Sequence, residues 1–372
     1  MNFLNPEIPK GASHTHREII QQPALWQQVL DSFNHQSRSK ITEGRRIIIT
    51  GAGSSSFVGL CTAPYWSRKA SFQIEAISTT DLVAVPYLHF RDEPTLLVSI
   101  ARSGDSPESM AAVKLAEQLI TDIKHIFITC NPEGGLARYS DKSNIELILM
   151  PEEANDQGFA MTSSFTTMVL TVLLLSDGSE QMIKSLRGIS RNGQKLLSDC
   201  PSQVAQVLTT DFDRIVFLGD GDLTALAREA ALKMLELSSG KVVPVYDSLL
   251  GFRHGPKAII NNQTIIVVFL SNNLYTRQYQ IDLINEIAQD NEAAAIVVLS
   301  SEQVELPAGV INYSTDDHDV PEDIYLIFNY LLYAQLLTLH KSIQLQIDTD
   351  NPMPSGTINR VVKGVTVYEY CQ

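Results

Sequence analysis

Glu229, Lys233 and Glu236 stand at i, i+4 and i+7 in the run REAALKMLEL, so a helix there puts all three on one face. Eighteen residues after Glu236 comes His254, in the turn Arg253-His254-Gly255-Pro256. A carboxylate, an ammonium and an imidazole are the parts of general acid–base catalysis, in which a side chain carries a proton between two atoms of a substrate. The same Glu-Lys-Glu spacing also suits a solvated ladder of ion pairs, and on spacing alone that is the commoner outcome. Leu223, Leu226, Ala230, Met234 and Leu237 make a second, apolar face that is expected to pack on a core.

Two further stretches have the chemistry of an anion site. Gly51-Ala52-Gly53-Ser54-Ser55-Ser56 and Ser99-Ile100-Ala101-Arg102-Ser103-Gly104-Asp105-Ser106 each follow an apolar strand pattern and precede a helical one. Free backbone N–H groups and the helix dipole at such a junction favour phosphate, and serine hydroxyls add neutral donors. Taken singly, each could be only a turn and a helix cap. No GxGxxG is met, because position 56 is serine, and there is no Walker lysine. The later counterparts differ. Gly219-Asp220-Gly221-Asp222 is acidic and would repel phosphate, and Leu270-Ser271-Asn272-Asn273 lacks the serine set. One phosphate site per chain is therefore expected, in the first half.

The elements that must carry these loops are strands and helices in alternation. Apolar runs at 46–50, 72–77, 95–100, 125–129 and 145–150 alternate with helical patterns such as 106–119, which predicts a parallel sheet covered on both faces. Helices are expected at 17–33, 161–175, 181–198 and 322–341. The pattern restarts at 214–218, with strands at 264–270 and 295–299. IIITGAGSSS and IVFLGDGDLT thus look like equivalent points of a duplicated α/β unit. The expected division is 1–40, an extended leader to residue 16 and a helix; 41–200, the first α/β domain with the phosphate loops; 201–345, the second, with the Glu/His segment; and 346–372, an ordered tail over the active site. The last helix is apolar on more than one face, which suits either a subunit interface or burial within the chain.

Composition removes several classes. The 372 residues are 44% hydrophobic and 19% charged, with a net charge of −14 and no local basic patch, so neither nucleic acid nor an anionic membrane is an expected partner. No run is long enough to span a bilayer, and the N-terminus has no signal-peptide pattern. The four cysteines are isolated, which favours reduced thiols in a cytoplasm. The eight histidines show no HxxxH or HExxH spacing, and His14 with His16 is weak metal evidence, so no metal and no cofactor is expected.

With REIIQQPALW, SIARSGDSPES, FAMTSSFTT, GFRHGPKA and NRVVKGVTVY in view, the chain resembles the sugar isomerase (SIS) family with two SIS domains. It is similar to the isomerase half of glucosamine-6-phosphate synthase, and more similar to the tagatose-6-phosphate ketose/aldose isomerase group, read as galactosamine-6-phosphate deaminase/isomerase. The resemblance implies that Ser55, Ser103 and Ser106 bind phosphate, with Gly53, Ser54 and Thr162 also in the sugar-phosphate site. Arg102, where the synthase has glutamine, would add a charge-assisted contact. It implies that Glu236 moves a proton between C1 and C2 beside Lys233, that His254 opens the sugar ring for a neighbouring subunit of a homodimer or tetramer, and that Lys363 can form an imine. Met161 stands where the synthase has a serine, and the Glu236–His254 loop is slightly longer. The synthase also begins with a glutaminase domain, for which this chain leaves no room, so amine release is the expected direction. The same residues would serve aldose–ketose isomerisation of a neutral sugar phosphate, and a non-catalytic sugar-phosphate sensor could keep the serine loops alone.

Overall fold

The computed structural model describes residues 8–33, 44–362 and 364–371. They divide into two compact units, each interrupted in sequence. One takes its described residues from Leu25–Gln157, Met161–Ile183 and Met353–Gln372; the other takes them from Met1–Ala24, Gly158–Ala160 and Lys184–Pro352.

The first unit holds β1 (Arg46–Thr50), β2 (Ile74–Ala76), β3 (Thr95–Ala101), β4 (Ile123–Thr129) and β5 (Ile145–Leu149), in the order β2-β1-β3-β4-β5. Every pairing is parallel, with Ile48 opposite Leu97 and Val98 opposite Ile126. Central strands of such a sheet are buried on both faces, and β3 accordingly reads TLLVSIA with all seven residues buried. Ile48, Leu97 and Phe127 form the middle of its core with Ala112 and Ala116 of the helix Pro107–Leu119.

The second unit repeats the plan. Its strands are β6 (Arg214–Leu218), β7 (Val243–Asp247), β8 (Thr264–Phe269), β9 (Ala295–Ser300) and β10 (Ile311–Ser314), in the order β10-β9-β8-β6-β7, all parallel. Read from the opposite edge, that order is the order of the first sheet. The likeness extends to backbone detail. Gly53 and Gly221 both precede the helix that follows the first strand of their sheet, with φ +57° and ψ −132° and −125°. The positive φ is the reason both positions are glycine.

Several expectations are corrected. The helix at 17–33 is two helices, Ser13–Ile20 and Gln22–Ser32. Pro23 cannot donate a backbone hydrogen bond, and its ring would collide with the carbonyl four residues earlier. The extended leader ends sooner than residue 16, because the Asp350 carboxylate accepts from His14 N, Thr15 N and Thr15 Oγ1 at 3.0, 2.8 and 2.7 Å and so caps the first helix. The helix Glu180–Val207 runs on through Pro201, well beyond 198. The tail has no helix or strand among its described residues, and it is held instead by contacts such as Arg102 Nη2 to Arg360 O at 2.9 Å and Gln118 Nε2 to Tyr370 O at 2.9 Å.

The last helix, Ile327–Gln344, is preceded by a 3₁₀ turn, Asp323–Tyr325. It is not available to a partner. Tyr330, Leu331, Leu332, Tyr333, Leu337 and Leu339 are all buried within the chain, and the Tyr330 hydroxyl donates to Leu270 O at 2.9 Å.

His125 lies in the middle of β4 with 1% exposure, and neither ring nitrogen has a hydrogen-bond partner among the described residues. Burial lowers its pKa from 6.5 to about 4, against the pull of Glu117. The unfolded chain therefore takes up this proton first. The stability linked to His125 is complete above pH 6.5 and is lost as the pH falls towards 4. In His125→Phe, chemical denaturation across that window should show a shallower loss of stability than in the wild type.

Candidate active site

The sheet order reverses between β1 and β3, and the connections after these strands leave towards opposite faces. Loops at such a switch point part and leave a crevice at the carboxyl ends of the strands. The two serine loops lie there. After β1 the chain turns at Gly51, where a Cβ would come within 2.5 Å of the Ser55 backbone, and enters the helix Ser54–Lys69. After β3 it passes Arg102 and Ser103 and enters the helix Pro107–Leu119, with Ser106 at the N-cap and Pro107 in the first turn.

Ser55, Arg102, Ser103 and Ser106 line one cavity of about 110 Å³. Ser109, Met161 and Arg360, Val361 and Val362 of the tail complete it. Four of the residues expected to bind phosphate are thus brought together. The Ser106 side chain does not cap its own helix; its hydroxyl shares a 2.6 Å hydrogen bond with Ser109 Oγ. Ser55 Oγ lies 3.5 Å from Met161 Sδ. Ser109 had a signal in the sequence, since it follows Ser106 by three residues on a helix and so shares its face. Arg360 had none, for nothing local links it to a loop 258 residues away.

Three other expected residues do not line this cavity. Gly53 and Ser54 shape the loop, Ser54 being buried in the first turn of its helix. Thr162 is fully buried and engaged elsewhere. Its N–H and hydroxyl donate to Asp156 at 2.8 and 3.2 Å. Lys363 lies outside the described residues.

Asp156 is the part of this region that sequence reasoning missed. Its carboxylate also accepts from the N–H and hydroxyl of Ser163, at 3.2 and 2.5 Å, and from those of Ser164, at 2.9 and 2.5 Å. One buried carboxylate thus caps the helix Ser163–Ser176, which was expected to start at 161. Its backbone carbonyl accepts from Arg360, and the Arg360 carbonyl in turn accepts from Arg102 Nη2 at 2.9 Å. The tail is anchored again where Gln118 Nε2 donates to Tyr370 O at 2.9 Å.

The second unit carries the residues expected to transfer protons. On the helix Asp222–Leu237, Lys233 Nζ lies 2.5 Å from Glu236 Oε2 and 3.4 Å from Glu229 Oε1. The side chains of Lys233 and Glu229 are 1% and 0% exposed, and that of Glu236 is 26% exposed. The solvated ladder is therefore corrected: this is a buried ion triad with one carboxylate facing outward. Leu223, Leu226, Ala230, Met234 and Leu237 are buried as expected. His254 is exposed, in a turn where its N–H donates to Gly251 O at 2.9 Å and Gly255 has φ +125°.

At the switch point of the second sheet the donors are already taken. Asp220 accepts from Leu249 N at 3.1 Å and from Gln280 Nε2 at 2.9 Å. Asp323 accepts from Asn272 N at 2.7 Å and from the Ser271 hydroxyl. Among the described residues, no group of three or more His, Cys, Asp or Glu side chains is placed to hold a metal ion.

A model of the SIS domain matches residues 40–176. The D-galactosamine-6-phosphate deaminase AgaS of Shewanella sp. (strain ANA-3) is 43% identical over 373 residues, covering 97% of this chain and 93% of that protein. The chain belongs to the AgaS family. The AgaS of Escherichia coli O157:H7 is 38% identical, with 98% of each chain covered. A solved structure from Escherichia coli, a tagatose-6-phosphate ketose/aldose isomerase, superposes with a TM-score of 0.89 at 35% identity, over 98% of this chain and 100% of that one. The two-sheet architecture is thus that of SIS proteins.

Asp156→Ala would leave six donors around one buried point without an acceptor. It should lower the free energy of unfolding by about 3 kcal/mol in a denaturant titration.

Proposed function

We propose that this member of the AgaS family converts galactosamine 6-phosphate and water to tagatose 6-phosphate and ammonia. The observation that carries the reading is the gathering of Ser55, Arg102, Ser103 and Ser106 around one cavity, in a chain that matches AgaS deaminases from end to end. Three hydroxyls and a guanidinium suit a phosphate dianion, because each donates to oxygen and Arg102 adds full charge. Ser109 extends the hydroxyl set through Ser106.

In this reading His254 takes a proton from the anomeric hydroxyl and gives one to the ring oxygen, which opens the ring. Glu236 removes the proton at C2 of the open aldehyde, forming an enaminol. It returns the proton to C1, which leaves an imine at C2. Water adds to C2 and ammonia departs, giving the ketose. Glu236 suits the task because Lys233 fixes one of its oxygens at 2.5 Å, while the second has no hydrogen-bond donor among the described residues. Lys363 is proposed to assist by imine formation with the open ketose. The chain is proposed to act in the cytoplasm, consistent with four free cysteines. Among the described residues no helix is long and apolar enough to cross a membrane. It is further proposed to work as a homodimer or tetramer in which His254 serves a neighbouring subunit. Exposed Val243, Tyr246 and Leu250, on the elements leading to His254, are suitable surface for such a contact.

The Escherichia coli isomerase structure favours one second reading, isomerisation of a neutral sugar phosphate. Ammonia release from galactosamine 6-phosphate and glucosamine 6-phosphate, assayed side by side without added metal, separates the two. Release from the galacto epimer is the expected result; tagatose 6-phosphate interconversion with no ammonia from either amine would establish the second reading instead. Glu236→Gln should lower kcat by about 10²- to 10⁴-fold while sugar-phosphate binding, followed by calorimetry, is retained. Unchanged turnover in that variant would remove Glu236 from the mechanism.

A further inference from the structure

The turn that carries His254 is held from two sides. On the core side, Leu249 and Phe252 are fully buried and share an apolar cluster with Leu283, Ile284 and Ile287 of the helix Leu274–Asp290. On the solvent side, Glu286 of the same helix spans the turn. Its Oε2 accepts from Arg253 Nε at 2.9 Å, and its Oε1 accepts from Lys257 Nζ. Asp290, one helical turn further on, takes Lys257 at 2.6 Å.

Arg253 precedes His254 by one residue and Lys257 follows it by three. One carboxylate, with one oxygen for each cation, therefore closes a bridge across the segment that presents the imidazole. Within that segment His254, Gly255 and Pro256 are all exposed and have little packing of their own. Gly255, at φ +125°, is in a conformation that makes the turn sharp and gives it no side chain to anchor it. The Glu286 side chain is 38% exposed, and exposed ion pairs add little to stability. The fork is better explained by where it holds the turn than by how firmly it holds the fold.

We infer that Glu286 is a positioning residue for the reaction: by bridging Arg253 and Lys257 it fixes the backbone of the 253–257 turn and presents His254 in one orientation. The inference rests on the proposed role of His254 in ring opening. A displaced acid–base group loses rate while the substrate's binding contacts remain, so the effect belongs in kcat.

The test uses steady-state kinetics on the better of the two hexosamine 6-phosphates, with the thermal midpoint of each variant measured alongside. Glu286→Gln, nearly the same in shape, should lower kcat by about tenfold and leave KM within about twofold and the midpoint unchanged. Glu286→Asp should recover part of the lost rate. In a His254→Ala background, Glu286→Gln should cause no further loss, because the two changes act on one step. A normal kcat for Glu286→Gln beside a crippled His254→Ala would overturn this inference alone. So would a loss of equal size in the His254→Ala background, or a fall in kcat matched by a fall in the midpoint. His254→Ala turning over at the wild-type rate would overturn the proposed role of His254 and this inference with it.

Discussion

A parallel sheet cannot be left bare on either face, since its central strands are apolar on both. Some connections must cross one face and some the other, and the strand order must reverse somewhere between. That constraint makes the crevice at β1 and β3. It needs no help from the ligand and no special residue. What the sequence adds is the equipment at the two loops, which stand side by side because β1 pairs with β3 from Arg46–Thr95 to Thr50–Ser99. Ser55 and Ser103 share a cavity because the register of the strands below them puts them there.

The triad of Glu229, Lys233 and Glu236 is built on a different principle. Lys233 is placed between two carboxylates in the interior, where an isolated ammonium would be very costly. The triad is not a good way to gain stability, since apolar residues of the same size could do as well. Its use is geometric. A buried ammonium on a rigid helix cannot wander, so Glu236 is held by one oxygen while still facing outward.

Much of this was legible in the sequence, and the rest was not for identifiable reasons. The strands of the first sheet, β6, β8 and β9 of the second, the Gly-Ser loops and the helix carrying Glu236 have local signatures: apolar runs, glycine at a positive φ, residues at helical spacing; the edge strands β7 and β10 do not carry such an apolar run. Asp156 is near its partners, six to eight residues before Thr162, Ser163 and Ser164, but lies outside the spacing of a helix-capping pattern. Asp350 and Arg360 have no local signature, and each acts on a partner fixed only by the fold, as Asp350 does when it caps a helix 335 residues earlier in the chain. The burial of Lys233 was unreadable for the same reason, because spacing places it on a face without saying what covers that face. The helix Ile327–Gln344 was ambiguous in another way. An all-round apolar helix must be buried, but sequence alone does not say whether its own chain or a second one covers it. Pro23 did carry a signal, and the periodicity around it hid the break.

The two sheets, alike in strand order, part company at one point. In the second sheet, Asp220 and Asp323 lie where the first sheet keeps its serine loops, and they already occupy the donors there. That copy brings its own anions and is electrostatically finished as soon as it folds. The first copy keeps an opening at the same place, lined by Ser55, Arg102, Ser103 and Ser106. On the proposed function, a sugar phosphate bound there would lend cohesion to that half, and its supply would become a term in the stability of one half of the molecule but not of the other.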